Sequence, residues 1–362
     1  MTGELSVLSY NISWESTHPG PPPSPYKSDI KKLGEYCHTE NNKCLNKIVG
    51  YLKNINDSNP IDFILLQETG EKTYDSLITG LGFGGVLHER KKCAILYRKK
   101  YTKEPLEISG NFGCSKAGKK IPDPSKQLSG RPILINFFSH DGELFVIVNV
   151  HGPHNYSARD IQNDINWLLS PKNDVDTSEI MKGRSDISVV VGGDFNQKID
   201  SLNIKINNDH EYTVSARQIP NTCCDGEEIN NPNKRSFNRP GDIILTNRDP
   251  SQDLSQDQYS DLFVPKGAYD FIASDHLPVR SVTKKKSKYS EQDLNNAFEL
   301  LIQMLQNVRP KKLRNIIIST FKSFFNNQQK VERLDQLSRQ QGGGGDYLSK
   351  TKKKTKKSKK KK

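Results

Sequence analysis

Residues 187–196 read Ile-Ser-Val-Val-Val-Gly-Gly-Asp-Phe-Asn. The apolar part is too short for an ordinary helix, is rich in β-branched side chains, and is closed by two glycines. That is the pattern of a strand buried on both faces, with Asp194 and Asn196 delivered where it stops. The arrangement recurs outward in both directions. A strand over 5–12 carries Asn11 near its end, an apolar run over 61–66 leads into Gln67-Glu68, and 144–150 holds Asn149 and leads into His151. Further strands are predicted over 93–97, 132–138, 242–245, 271–273 and 279–282. Helical spacing is present at Leu45, Ile48, Val49 and Leu52, and again from near Ser157 to Leu169. The proline-rich stretch 16–26 reads as a loop, since its prolines close most helical options. Many strands with few long helices predict an α/β sandwich of two packed sheets with helices outside.

The chain has 362 residues, enough for about two structural units. Apolar residues are 33% and charged residues 27% of it, and its mean hydropathy is −0.73, which predicts that some of it stands outside the core. The formal net charge of +12 is unevenly placed. Ten lysines and no acid fall within 350–362, and a further net +6 lies over 281–349, which leaves −4 on residues 1–280. The basic character therefore belongs to the C-terminal end and does not argue for a basic groove in the main body. No apolar run reaches the roughly 20 residues of a membrane span, and the first residues lack the pattern of a signal peptide. The expectation is an intracellular protein of cytoplasm or nucleus. Cys37 and Cys44 have six residues between them and Cys223 and Cys224 are adjacent. Neither is a zinc-pair spacing, so the six cysteines are expected to be structural or incidental thiols, not a disulfide framework.

Three regions follow. Residues 1–282 hold the strands and form the expected catalytic domain. Residues 283–341 are a basic linker and a helical extension, with apolar Leu294, Ala297, Phe298, Leu301, Ile302 and Leu305 and a second pattern over 313–325. Residues 342–362, Gly-rich and then Lys-rich, cannot bury a core and are expected to be disordered. The lysine tail has three readings of equal weight: a phosphate-binding arm, a nuclear localisation signal, or a solubilising end.

Each polar residue at a strand end has an ordinary reading alone, since Asn and Asp commonly cap helices and turns. The set is the signal. Ser9-Tyr10-Asn11-Ile12, Leu66-Gln67-Glu68, Asn149-Val150-His151, Gly193-Asp194-Phe195-Asn196 and Ser274-Asp275-His276-Leu277-Pro278 occur in that order. The series resembles the endonuclease/exonuclease/phosphatase superfamily, the group of deoxyribonuclease I, and the matched motifs span residues 5–282.

The resemblance implies a four-layered α/β sandwich of two mixed β-sheets with outer helices, and metal-dependent hydrolysis of phosphate esters. Chemistry favours the same residue types: an anionic phosphodiester repels hydroxide until a hard cation neutralises it, and Mg²⁺ takes oxygen ligands from one or two carboxylates. Glu68 and Asn11 are the expected ligands, and the resemblance adds Asp275. Mn²⁺ is the expected substitute. Asp194 and Asn196 would hold the attacking water or the phosphate. His276 and His151 would exchange protons or donate to phosphate oxygens. Asp242 would orient His276, while Arg131 and Asn149 would contact the substrate phosphate.

Departures narrow the subgroup. His151 stands where abasic-site endonucleases usually carry Tyr. The Pro-Ala-Trp-Cys-Asp-Arg signature of inositol polyphosphate 5-phosphatases is replaced by Asn238-Arg239-Pro240-Gly241-Asp242. The first expectation is a nuclease acting on DNA or RNA. The alternatives are a phosphatase or phosphodiesterase for a small or lipid phosphoester, and a non-catalytic binding module on the same scaffold.

Overall fold

The computed structural model describes residues 4–12, 43–88, 92–117, 131–154, 156–171, 176–184, 186–207, 210–216, 222–224, 237–250, 276, 278–285, 291–307, 311–322 and 332–336. The expected strand over 271–273, the loop over 16–26, residues 323–325 of the second extension pattern, Asp275 and the lysine tail lie outside the described residues. Two units are distinguished, one to Lys286 and one from Ser287.

In the first unit, β1 (Glu4–Asn11) pairs in parallel with β2 (Phe63–Gln67), and α1 (Lys43–Ser58) lies between them in sequence. Antiparallel β4 (Cys93–Tyr97) and β3 (Gly84–Leu87) extend the sheet on one side. On the other side stand β15 (Val279–Lys284) and β14 (Asp249–Pro250). The second sheet repeats the scheme. β7 (Glu143–His151) and β8 (Ile187–Asp194) are parallel, with α4 (Ala158–Leu168) and the short α5 (Ser178–Met181) between them. Its full order is β5 (Thr102–Asn111), β6 (Pro132–His140), β7, β8, β13 (Asp242–Thr246), β10 (His210–Ser215) and β9 (Ser201–Ile206). A separate two-stranded ribbon joins β11 (Cys223–Cys224) to β12 (Phe237–Arg239).

Alternation along each strand sorts the side chains into layers. Leu5, Val7, Phe63, Leu65 and Ile95 of one sheet meet Leu134, Phe138, Phe145, Ile147, Val190 and Ile244 of the other in a shared core. The opposite face of the first sheet, with Leu8, Ile64, Leu66 and Leu96, packs on Ile48 and Leu52 of α1 and Leu77 of α2 (Glu71–Leu81). The opposite face of the second, with Ile133, Ile135, Val146, Val148 and Val191, packs on Ile161, Ile165 and Leu168 of α4. The result is the four-layered sandwich, helix–sheet–sheet–helix. α4 starts where Ser157 accepts the backbone N–H of Asp160 at 3.1 Å, an N-cap.

Several elements were not foreseen. α2 carries apolar Tyr74, Leu77, Ile78 and Leu81 at helical spacing and ends on Gly82 at φ 68°. The four-residue α3 (Cys114–Ala117) and the strands β3, β5, β9, β10, β11, β12 and β14 complete the set. Two expectations are corrected. The last strand runs two residues past 282, because Thr283 is buried and pairs with Leu5 while Lys284 pairs with Glu4. Cys44 is disulfide-bonded, whereas buried Cys93 and Cys114 are free thiols. A bridge needs no spacing motif, only a fold that brings two thiols together, so spacing could not reveal it.

The second unit contains α6 (Glu291–Asn307), α7 (Lys311–Lys322) and a helical turn over 332–336. Phe298, Leu301, Ile302 and Leu305 of α6 bury against Ile318 and Leu334.

Gly193 is the tightest point of the second sheet. Its φ is 146°, and an added Cβ would lie 1.9 Å from the carbonyl oxygen of Val150. Backbone cannot yield as a side chain can. Gly193→Ala should therefore destabilise the first unit by about 3 kcal/mol or more, since the overpacking falls on main chain. Urea unfolding should show a lower midpoint with unchanged slope; an unaltered midpoint would mean that the strand pair relaxes freely.

Candidate active site

The shared core between the sheets turns polar at one end. On β2 the inward row is Phe63, Leu65, Gln67; on β7 it is Phe145, Ile147, Asn149, His151; on β8 it passes through Gly192 to Asp194. β13 runs the other way and so begins at the same end, with Asp242. Register then sets the neighbours: Asp194 stands between His151 on parallel β7 and Asp242 on antiparallel β13.

The first sheet meets this row across the gap. Asn11 Nδ2 donates to Asp194 Oδ2 at 3.1 Å and to Glu68 Oε1 at 3.2 Å. His151 Nε2 lies 3.4 Å from Glu68 Oε1 and 3.7 Å from Asp194 Oδ2. His276 Nδ1 is 2.8 Å from Asp242 Oδ2, and its Nε2 faces Asp194 Oδ2 at 3.9 Å. Asn196 closes the ring: its backbone N–H donates to Asp194 Oδ1 at 2.8 Å, and its Nδ2 donates to the Gly152 carbonyl at 2.8 Å and to Asp194 Oδ2 at 3.2 Å. Seven of the ten residues singled out from sequence thus form one cluster. Asn11, Asp194 and Asp242 are almost fully buried, while the Glu68 side chain is 26% exposed.

Glu68 and Asn196 have φ of 57° and 54°. Left-handed backbone in a residue other than glycine costs on the order of 1 kcal/mol and persists where the surroundings impose it. At Glu68 it turns the chain sharply out of β2; at Asn196 it lets one residue contact Asp194 with both main chain and side chain.

The two buried carboxyls are driven apart. Burial alone would raise Asp194, but His276, His151, the Asn196 N–H and the Asn11 amide together hold it below the usual carboxylate range. Asp242 is pushed up to about 6 by burial, with His276 pulling against the rise. Burial and the neighbouring Arg131 guanidinium push His151 down to about 3, so it is neutral at physiological pH. Pairs of groups separated by environment in this way are a common mark of acid–base sites.

Three other sequence candidates fare differently. Asn149, expected at the substrate phosphate, is fully buried and engaged elsewhere: its Nδ2 donates to the Leu66 and Ala94 carbonyls at 2.9 and 2.8 Å, and its Oδ1 accepts from Gln67 at 2.7 Å. It ties the two sheets together beneath the cluster. Arg131, just before β6, contacts His151 Nε2 through Nη1. Asp275 lies outside the described residues.

Two contributors were missed. Gln67 is fully buried and links Asn149 to Ser9; its place in Leu66-Gln67-Glu68, one step inside the cluster, was the available signal. Lys92 precedes β4; its carbonyl accepts from Thr69 N–H at 3.3 Å, and its charge helps to push His151 down.

Two donor sets can be weighed for a cation. Asp194, Asp242 and His276 place ligand atoms within 4.8 Å of one another. The 2.8 Å contact between Asp242 and His276 is, however, a proton-sharing pair, and a nitrogen donor suits Mg²⁺ poorly. Asn11, Glu68 and Asp194 converge on one spot and include the most accessible carboxylate of the cluster; with the Asn11 amide turned so that Oδ1 takes the place of Nδ2, they would offer only oxygen donors. That set fits a hard divalent cation.

No protein-family model and no curated protein matches the chain. Solved structures similar to it include an endonuclease/exonuclease/phosphatase from Bacteroides vulgatus, at 14% identity and TM-score 0.46 over 78% of this chain and 99% of that one. TDP2 from C. elegans is similar at 15% identity and TM-score 0.43 over 78% and 75%. The human Nocturnin catalytic domain is similar at 14% identity and TM-score 0.42 over 79% and 96%.

Proposed function

We propose that the chain is a divalent-metal-dependent phosphoester hydrolase of the endonuclease/exonuclease/phosphatase superfamily, acting as a phosphodiesterase on nucleic acid. The observation that carries this reading is the convergence of Asn11, Glu68, His151, Asp194, Asn196, Asp242 and His276 from two sheets at one end of their shared core. A binding module derived from such a scaffold has no need to keep every member of the set.

Glu68 and Asn11 would hold Mg²⁺, or Mn²⁺ in its place, with Asp275 as a further carboxylate. A cation bound there supplies charge neutralisation at the phosphate and at the leaving oxygen. The remaining work belongs to the side chains. Asp242 orients His276 through Nδ1, so that Nε2 is turned toward Asp194 and the space where a water molecule would attack. Asp194, kept charged by its neighbours and fixed by Asn11 and Asn196, orients that water. Arg131 binds the non-bridging phosphate oxygens.

The test is hydrolysis by the purified chain, with Mg²⁺, of single- and double-stranded DNA, RNA and inositol phosphates. Cleavage of a polymer supports the nucleic-acid reading; cleavage of inositol phosphates alone would move the assignment to small phosphoesters; no turnover of any would reject it.

The ten lysines of 350–362 make a second expected result. Deleting 342–362 should weaken binding to a polymeric substrate and flatten the dependence of log Kd on log salt concentration, because fewer counterions are released. Turnover at saturation should hardly move. Equal salt slopes with and without the segment would show that it takes no part in binding.

A further inference from the structure

We propose that Asp164 is a positioning residue for the substrate side of the site: from α4 its carboxylate pins the segment that supports Arg131 to the segment that follows His151. The proposal rests on the hydrolase reading and deepens it, since it gives the fixing of the phosphate-binding arm to a buried acid outside the cluster.

A carboxylate removed from water is costly unless donors surround it. Asp164 is fully buried, beside Ile161 and Ile165 in the sequence of α4. Its two oxygens are served alike, each accepting one main-chain N–H and one hydroxyl. Oδ2 accepts from Gly113 N at 2.7 Å and from the Tyr156 hydroxyl at 3.0 Å. Oδ1 accepts from Ser115 N at 2.9 Å and from the Ser115 hydroxyl. Burial and then the Asp164 charge push the Tyr156 phenol and the Cys114 thiol up, so both keep their protons beside it.

The segments held in this way belong to the site. Gly113 and Ser115 follow β5, and Tyr156 follows β7. Asn111, the last residue of β5, pairs with Pro132, and Ile133 pairs with Val150, so the ends of β5 and β7 lie level with the start of β6. Arg131 stands there, and its carbonyl accepts the Phe112 N–H at 3.0 Å. The next residue, Gly113, is held by Asp164. On the other segment, Gly152 is bonded to the cluster: its N–H donates to the Asp194 carbonyl at 2.6 Å, and its own carbonyl accepts from the Asn196 amide at 2.8 Å. Tyr156, a little further on, carries the bond to Asp164. The rings of Phe112 and Tyr156 meet edge-on at 5.6 Å. Asp164 therefore joins the support of Arg131 to the chain that leaves the cluster.

Stability alone gives little reason for a charge here. Replacing buried ionic groups by well-packed apolar ones is often neutral or stabilising, and Ile161, Ile165 and Leu168 show that α4 packs well with such side chains. What the carboxylate adds is direction, because it fixes two main-chain N–H groups and a phenol at once. The Arg131 guanidinium stands at the end of a long side chain, so the place of its backbone decides which phosphate oxygens it can reach. Holding that backbone before substrate arrives lowers the cost of ordering the arm on binding.

The experiment uses the full chain and a phosphodiester that it cleaves. In Asp164→Asn the amide nitrogen cannot accept, so whichever way it turns it faces one of the two main-chain N–H groups and that bond is lost. KM should rise by about 10-fold while kcat stays within about twofold. The acid limb of the pH profile should not move, because Asp242 and His276 are untouched. In the Arg131→Met background the same substitution should change KM by less than about twofold, since the arm it positions is gone. Tyr156→Phe removes one hydroxyl, keeps the ring, and should raise KM in the same direction by less.

A KM indifferent to Asp164→Asn, a rise that multiplies with that of Arg131→Met, or a fall in kcat with a displaced acid limb would each overturn the proposal. A lowered thermal transition with KM unchanged would do so too, leaving Asp164 a purely structural acid. If Asp164→Asn does not fold, Tyr156→Phe decides, alone and in the Arg131→Met background. A chain that hydrolyses no phosphoester rejects the hydrolase reading and this proposal together; turnover with a KM that ignores Asp164→Asn rejects this proposal alone.

Discussion

Glu68→Ala should lower turnover by at least about 10²-fold and leave the fold intact. The side chain is 26% exposed and lies outside the apolar core, so its loss removes little packing. What it removes is the accessible charge on which Asn11 and His151 converge. Asp194 calls for a different substitution. Its carboxylate accepts from Asn11 and from Asn196, and truncation to Ala would take the acceptor from the Asn196 backbone N–H, at about 1–3 kcal/mol, and one bond each from the Asn11 and Asn196 amides. Asp194→Asn keeps the shape and removes the charge. It should lower turnover by a similar factor, with a thermal transition close to that of the parent. EDTA should abolish activity, and Mg²⁺ or Mn²⁺ should restore it in the parent and not in Glu68→Ala. Full activity in EDTA, or in either variant, would remove the metal-dependent mechanism. A collapsed thermal transition in Glu68→Ala would mean that lost activity reports on folding alone.

The strands that build this site were readable because they are buried on both faces. The runs 61–66, 144–150 and 187–191 have apolar side chains toward the other sheet and toward the helices alike, so composition alone marks them. β9 was readable in principle and was missed. Its burial alternates strictly, with Leu202, Ile204 and Ile206 inward and Ser201, Asn203 and Lys205 outward. Alternation over six residues with polar partners is a weaker mark than a continuous apolar run. β5 is hidden further by Pro105 and by a register shift between Lys103 and Glu107.

The site was readable as a set of strand ends, but depth along a strand was not. Asn149 and His151 share a face of β7 and differ by one inward step, about 7 Å at the usual rise. That step separates a residue at the cluster from one sealed between the sheets. Sequence gives the shared face through the period of two. It cannot show where the opposite sheet's carbonyls, those of Leu66 and Ala94, will stand. The pairing of Asp242 with His276 spans 34 residues and needs the antiparallel start of β13 at the same end as Asp194. Here the motif resemblance supplied the expectation, and the register gives it a geometric basis.

Asp242 and His276 should set the acid limb of the pH–rate profile. Burial pushes the Asp242 carboxyl up to about 6, and the 2.8 Å contact makes the two groups titrate as a pair. Above that range Asp242 is a carboxylate that holds the Nδ1 proton, and His276 Nε2 can accept a proton from water. Below it the pair is fully protonated and the base is lost. Activity should therefore rise with pH through about 6, the sign expected for a required base whose partner carboxyl has been raised. His151, driven down to about 3, is neutral across this window and contributes no limb. Asp242→Asn preserves shape and removes the charge that favours the protonated pair. The limb should move to lower pH, while turnover falls by about 10²-fold or more through lost orientation. His276→Ala should abolish the limb with most of the activity. A titrating metal-bound water could mimic the limb, and exchange of the ion separates the cases. With Mn²⁺ in place of Mg²⁺, a limb set by the pair should stay within a few tenths of a pH unit, whereas a limb set by the ion should move with it. A limb that follows the metal and ignores Asp242→Asn would remove His276 from the role of base.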